Sequence, residues 1–251
     1  MPSSPIEYRS NSQIARVTTE GWLALNGYCP ACCSALSQTP NNSRALDFVC
    51  SRCNSGFELK ARKGKFSSTV TDGAYRTMIE AIREDRQPNL FLLSYQTPFV
   101  VTHLKVLPKR FLVEPIIVRR PPLKETARRA GWVGCNLNLG LVPKTALISC
   151  VENSVEIPCA EVQAIWKKTA VLDEVSPQSR GWLAVTLGVV ERLNMRTFSL
   201  ADVYRHETEL SKVFANNRNI RAKLRQQLQI LRDMELIRFL GSGKYEVVGN
   251  S

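Results

Sequence analysis

Three polar side chains around a cysteine-rich turn are of the types that hydrolyse phosphodiesters. The stretch DFVCSRCNSGFELK, Asp47 to Lys60, places an aspartate before two cysteines and a Glu-Leu-Lys triplet after them. In an extended FELK segment successive side chains alternate, so Phe57 and Leu59 face one way while Glu58 and Lys60 share the other face. If Cys50 to Cys53 turn a hairpin, ALDFVC and GFELK run antiparallel and Asp47 falls opposite Leu59 to within about one residue. There it converges on Glu58 and Lys60. Two carboxylates suit a hard divalent cation such as Mg²⁺, and a lysine beside them can orient a water or offset developing charge. The competing reading is a solvated strand face with no chemistry.

The cysteines specify what holds that hairpin. Cys29-x2-Cys32, a gap of 17 residues, and Cys50-x2-Cys53 have the spacing by which two knuckles present four thiolates to Zn²⁺. Cys33 competes with Cys32 as a ligand, but Cys32 gives the tighter and commoner knuckle. Four cysteines leave no open position, so the zinc is expected to be structural, distinct from a Mg²⁺ held by Asp47 and Glu58. Cys135, Cys150 and Cys159 have no comparable spacing and are expected to be core thiols rather than disulfide partners.

The surrounding pattern is α/β. A helix is expected from about Ser12 to Asn26, an amphipathic helix over Asp72–Asp85, and strands over Asn89–Tyr95 and Phe99–Leu107. The Ser, Pro and Gly of Leu172–Gly181 mark a boundary, giving a catalytic domain with its zinc site over residues 1–179 and a second domain over 180–251. The 251 residues carry a formal charge of +12, with 23 basic against 15 acidic residues through Arg180 and 11 against 7 beyond it. Both parts can therefore face one polyanion. No apolar run spans a bilayer, and MPSSPIEYRSNSQ has no secretory pattern, so a cytoplasmic setting is expected.

Beyond the boundary, Ser199-x-x-Asp202 has the form of a capping box opening a helix to about Phe214. After a polar turn, Ile220, Leu224, Leu228 and Leu231 form an apolar stripe beside a polar one containing Arg218, Arg221, Arg225, Gln229 and Arg232. LIRFLGSGKYEVV then reads as a hairpin containing Lys244. Helix, helix, basic helix and hairpin is the order of a winged helix, with Arg218, Asn219, Arg221 and Arg225 at or near the start of the third helix, which enters the major groove. The competing reading is an ordinary helical subdomain with solvated arginines.

The segments CPAC, DFVCSRC, FELKARKGKFSSTVTDGAY, TARRAGWVGCN and RQQLQILRD together resemble the DpnI, or Dam-replacing, family of methyl-directed restriction endonucleases. The resemblance implies a PD-(D/E)xK nuclease core with an embedded four-cysteine zinc site, followed by the winged helix. It also implies cleavage of duplex DNA at GATC carrying N6-methyladenine, with Asp47, Glu58 and Lys60 as the catalytic triplet; a monomer in solution is expected, and whether one or two molecules cut the two strands stays open. One departure stands out: Leu46 replaces the family's proline before the aspartate. Reading a methylated adenine needs an apolar contact beside the usual polar partner. Trp132 is the candidate, with Arg128 and Arg129 for backbone phosphates, although a tryptophan is also a core residue. With only His103 and His206, histidine-dependent nucleases are poorly supported. The rival class is a noncatalytic zinc and winged-helix regulator that binds DNA without cutting it.

Overall fold

The computed structural model describes residues 10–40 and 46–248. Most of the amino-terminal stretch read for a leader, residues 1–9, and Ala45 of the ALDFVC segment lie outside the described residues. The chain runs through α1 (Asn11–Asn26), β1 (Leu36–Gln38), β2 (Phe48–Cys50), β3 (Gly56–Lys63), β4 (Thr69–Ala74), α2 (Tyr75–Arg83), β5 (Asn89–Gln96) and β6 (Val100–Leu107). It continues with β7 (Ile117–Arg119), β8 (Gly134–Asn138), β9 (Ile148–Glu152), β10 (Val155–Glu156), α3 (Cys159–Lys168) and α4 (Pro177–Arg192). The last elements are β11 (Thr197–Ser199), α5 (Leu200–Tyr204), α6 (Glu207–Val213), α7 (Ile220–Asp233), β12 (Ile237–Gly241) and β13 (Lys244–Val247). No helix among the described residues is long and apolar enough to cross a membrane.

Packing gathers these elements into two compact units. The first comprises the segments up to Phe66, Pro88–Pro108 and Ile148–Lys167. Its mixed seven-stranded sheet has the order β1-β2-β3-β5-β6-β9-β10, in which β3 and β5 are parallel and the other pairs antiparallel. The central strand β5 is buried from Asn89 to Ser94, which explains why NLFLLS reads as an apolar run rather than an alternation. Phe48, Phe57, Phe91 and Leu104 form the core with Leu23 of α1 and Val162 of α3. Phe57 and Phe91 stack with ring centroids 4.9 Å apart. The expected FELK alternation is present: Phe57 is fully buried and Leu59 packs on the same core.

The second unit holds Ser67–Gln87, Lys109–Leu147 and the chain from Lys168 onward. Two three-stranded sheets, β4-β8-β7 and β11-β13-β12, belong to it. The segment Leu172–Gly181, read as a boundary, contains a 3-10 turn and the first turn of α4, capped by Ser176 and started by Pro177. Helix α4 is buried along most of its length. Gly188 permits this, because a Cβ there would lie 2.8 Å from the carbonyl oxygen of Leu141. Buried Arg180 pairs with Asp85 at 2.9 Å, and buried Arg110 pairs with Asp173 at 2.8 Å. Burial favours the neutral carboxyl of Asp85, but Arg180 and Lys109 outweigh it and hold the group below its ordinary pKa.

Two expected helices are shorter than their patterns. Helix α2 begins at Tyr75, because Asp72 belongs to β4, where it pairs with Cys135 at a register shift. The helix expected from Ser199 to Phe214 is two: the Ser199–Asp202 capping box starts α5, and the chain turns at Arg205–His206 before α6. Glu209 of α6 is bonded by Arg192 of α4 and by His206, so a tertiary anchor directs the second half. Helix α7 and the final hairpin match the pattern. Ile220, Leu224, Leu228 and Leu231 are buried, and Ser242 and Gly243 both take positive φ in the two-residue turn. Strand β11, three residues long, was too short to read from the sequence; it adds to β13.

Candidate active site

The candidate catalytic side chains sit on one hairpin of the first unit. Strands β2 and β3 pair Phe48 with Phe57 and Val49 with Gly56, and continuing that register brings Asp47 opposite Glu58. The amide of Asp47 donates to the Phe57 carbonyl at 2.9 Å, while its own carbonyl accepts from Thr39 at 2.9 Å. Its carboxylate Oδ2 accepts from the Leu59 amide at 2.8 Å. The backbone therefore fixes both the position of Asp47 and the rotation of its side chain. On β3, Lys60 Nζ lies 2.5 Å from Glu58 Oε1. All three side chains are partly buried, Asp47 at 22%, Glu58 at 16% and Lys60 at 22% exposed. The carboxylates of Asp47 and Glu58, on one strand pair, supply the oxygen donors a hard cation takes, so the residues present fit a divalent ion.

Leu46 has a definite role here. Its side chain lies over Gly56, where a Cβ would approach Leu46 Cδ1 to 2.5 Å. Leu46 thus covers the start of β3.

At the hairpin tip, Cys29, Cys32, Cys50 and Cys53 bring their sulfurs within 4.8 Å of one another. Cys29 and Cys53 sulfurs are 3.6 Å apart, and those of Cys32 and Cys50 are 3.4 Å apart. Four sulfurs around Zn²⁺ at about 2.3 Å would define edges of about 3.8 Å, so the cluster can hold a metal such as zinc. Cys29 and Cys50 belong to the hydrophobic core, tying the cluster to the sheet. Burial raises the Cys32 thiol, but hydrogen bonds with Ser34, Cys50 and Cys53 outweigh it and bring the pKa to about 6.

One expectation about cysteines is corrected. Cys33 and Cys159 are joined by a disulfide, Cα to Cα 5.8 Å, across 126 residues of sequence. Cys33 has φ +60°, and its sulfur joins the first residue of α3 rather than the four-sulfur cluster. Cys32 and not Cys33 thus completes the cluster. Cys135 and Cys150 are buried thiols as expected, and burial pushes Cys150 up to about 12.

The DNA-facing candidates lie in the second unit. Trp132 ends the long loop between β7 and β8 and is half-buried rather than part of the core. Its ring covers Gly134, where a Cβ would come within 2.8 Å of it, and the Arg129 guanidinium lies 5.1 Å from the ring centroid. Arg128 and Arg129 are exposed, as are Arg218, Asn219, Arg221 and Arg225 at the start of α7 and Lys244 on β13. Arg221 is already engaged, pairing with Glu207 at 2.7 Å and lying 5.3 Å from the Tyr204 ring. Arg225 reaches the Tyr204 hydroxyl at 3.4 Å. His103 on β6 and His206 beside α6 fall in different units.

The profile of the Dam-replacing family matches residues 4–175, and that of the Dam-replacing helix-turn-helix domain matches residues 178–247. The chain belongs to the Dam-replacing family. Membership places it among restriction endonucleases, and the helix-turn-helix match makes it a DNA-binding protein.

Sequence reasoning missed two residues beside Asp47. On α1, Arg16 Nε lies 2.5 Å from Glu20 Oε1, and Arg16 Nη2 lies 3.9 Å from Asp47 Oδ1. Glu20 is buried and also accepts from Gln38 at 2.9 Å. Their only sequence signal is an arginine four residues before a glutamate, a spacing usual on solvated helix surfaces.

Proposed function

We propose that the chain is a Mg²⁺-dependent, methylation-dependent endonuclease that hydrolyses both strands of duplex DNA at GATC sites carrying N6-methyladenine. The observation that carries this reading is the grouping of Asp47, Glu58 and Lys60 on the cysteine-clustered hairpin of a Dam-replacing family member. In this reading residues 1–179 form a PD-(D/E)xK catalytic domain with a structural zinc, and residues 180–251 form a winged-helix domain. Asp47 and Glu58 hold the divalent ion, whose contribution is to acidify a water and neutralise charge on the phosphate. The Leu59 amide, by fixing Asp47 Oδ2, leaves Oδ1 directed to the reacting centre. Lys60 supplies a positive charge where the pentacoordinate phosphorus accumulates negative charge. Incubation with Mg²⁺ and plasmid from an adenine-methylating host should cut the DNA, and EDTA should stop it. A mobility shift without cutting would instead favour the noncatalytic regulator.

Reading is divided between two surfaces. Trp132 offers an apolar face to the methyl group while Arg128 and Arg129 hold phosphates. At α7, Arg218, Asn219 and Arg225 reach base edges and Lys244 holds the backbone, whereas Arg221 must first leave Glu207. Because α4 begins at Pro177 and is buried in the second unit, the test uses full-length protein. In a cleavage-dead background, Asn219→Ala is expected to weaken binding to methylated GATC by about 1–3 kcal/mol while sparing a scrambled methylated duplex. Lys244→Ala should weaken both duplexes alike and reduce the salt dependence by about one phosphate contact. Equal losses on the two duplexes for Asn219→Ala would reduce α7 to an electrostatic clamp.

A further inference from the structure

The Arg16–Glu20 pair is larger in consequence than its helix-surface spacing implies. Glu20 is a buried carboxylate that bonds two partners, Arg16 from its own helix and Gln38 from β1. A buried carboxylate costs free energy unless it is fully engaged, so this one holds Arg16 in a defined place. That place is next to Asp47: one carboxylate oxygen of Asp47 is taken by the Leu59 amide, and the other faces Arg16 at 3.9 Å. The Arg16 side chain remains 61% exposed, open to a ligand from solvent. Helix α1 also packs against β1 and β3.

Charge balance indicates what the guanidinium awaits. Arg16, Glu20, Asp47, Glu58 and Lys60 together carry one net negative charge. A divalent cation at Asp47 would turn this into one net positive charge and place two cations near each other. A phosphodiester restores neutrality, and a guanidinium is suited to phosphate because its planar fork gives paired hydrogen bonds. Before DNA arrives, the same guanidinium opposes a cation at Asp47.

We propose that Arg16 is the residue that receives the scissile phosphate, with Glu20 as its positioning residue, and that the pair couples cation binding to DNA binding. This rests on the nuclease reading above. Arg16 moves no proton and forms no covalent bond; it contacts a non-bridging phosphate oxygen and helps offset the charge that grows there on attack.

The test compares Arg16→Gln, Arg16→Lys, Glu20→Gln and the Arg16→Gln/Glu20→Gln double variant of the full chain. Single-turnover cleavage of methylated plasmid is measured with saturating Mg²⁺, and affinity for the same DNA with Ca²⁺. Arg16→Gln should slow cleavage about 100-fold and weaken DNA affinity in Ca²⁺ by a smaller factor, about tenfold, and Arg16→Lys should recover part of both. Glu20→Gln should slow it about tenfold, and the double variant should be no slower than Arg16→Gln alone, since Glu20 acts only through Arg16. Calorimetric titration of DNA-free protein with Mn²⁺ gives an independent readout: Arg16→Gln should bind the ion a few-fold more tightly, because an opposing cation is gone. Cleavage by Arg16→Gln within about threefold of wild type, or a double variant with multiplied losses, would overturn the proposal. If the wild-type protein cuts no DNA, the nuclease reading fails. The phosphate role of Arg16 then falls with it, whereas the Mn²⁺ titration reads its opposition to a cation at Asp47 separately, and an unchanged affinity in a wild type that does cut overturns the coupling.

Discussion

Asp47→Asn and Lys60→Ala are each expected to lower the DNA cleavage rate by about 10³-fold or more while leaving zinc content and DNA affinity close to wild type. Asparagine is the more informative change at position 47. Its amide oxygen can still accept from the Leu59 amide, the 2.8 Å bond that orients the side chain, so the charge is lost and the geometry kept. Asp47→Ala removes that acceptor as well and should cost about 1 kcal/mol of stability in addition. Lys60→Ala removes the cation beside Glu58, and Lys60→Arg should restore little, because a planar fork does not replace a compact ammonium. Single-turnover cleavage, read beside a thermal melt and a binding isotherm in Ca²⁺, separates chemistry from folding. Cleavage by Asp47→Asn at the wild-type rate would remove this aspartate from the active site.

Cys50→Ser acts at the other end of the same hairpin and through a different ion. Its sulfur is fully buried, lies 3.4 Å from Cys32 Sγ, and accepts from the amides of Arg52 and Cys53. Binding free energy at a structural zinc is folding free energy. Loss of the metal should therefore lower the melting temperature by about 10 °C or more. Because the destabilised turn sets the register of β2 on β3, cleavage should fall too. The two variants are distinguished by metal analysis of purified protein: Asp47→Asn retains stoichiometric zinc and Cys50→Ser does not. Full zinc in Cys50→Ser would show that the other three cysteines suffice.

What could be read from the sequence was what depends on short-range pattern. The period of two in FELK placed Phe57 and Leu59 inward, the cysteine spacings located the four-sulfur cluster, and the apolar stripe of α7 is buried at the positions its period indicated. Register followed from the hairpin turn, so Asp47 could be set near Glu58 and Leu59 before any coordinates. Long-range packing was not legible. Nothing local pairs Cys33 with Cys159 across 126 residues, and no spacing announces that Arg16 on α1 approaches Asp47. Helix α4 was obscured for a related reason: its start carries Ser, Pro, Arg and Gly, the composition of a linker. Arg180 is nevertheless buried against Asp85, and Gly181 packs against the ring of Pro115. A polar or small residue reveals such a role only through its partner.

Methylation dependence is the centre of the functional account, and digestion of a single plasmid prepared with and without adenine methylation at GATC tests it most directly. The two preparations share every sequence and differ only in the N6-methyl groups, so nonspecific phosphate contacts contribute equally to both. With Mg²⁺ at fixed salt, the methylated plasmid should yield discrete fragments ending at GATC sites while the unmethylated plasmid stays intact. Equal cutting of both, or cutting of the unmethylated plasmid alone, would contradict the account.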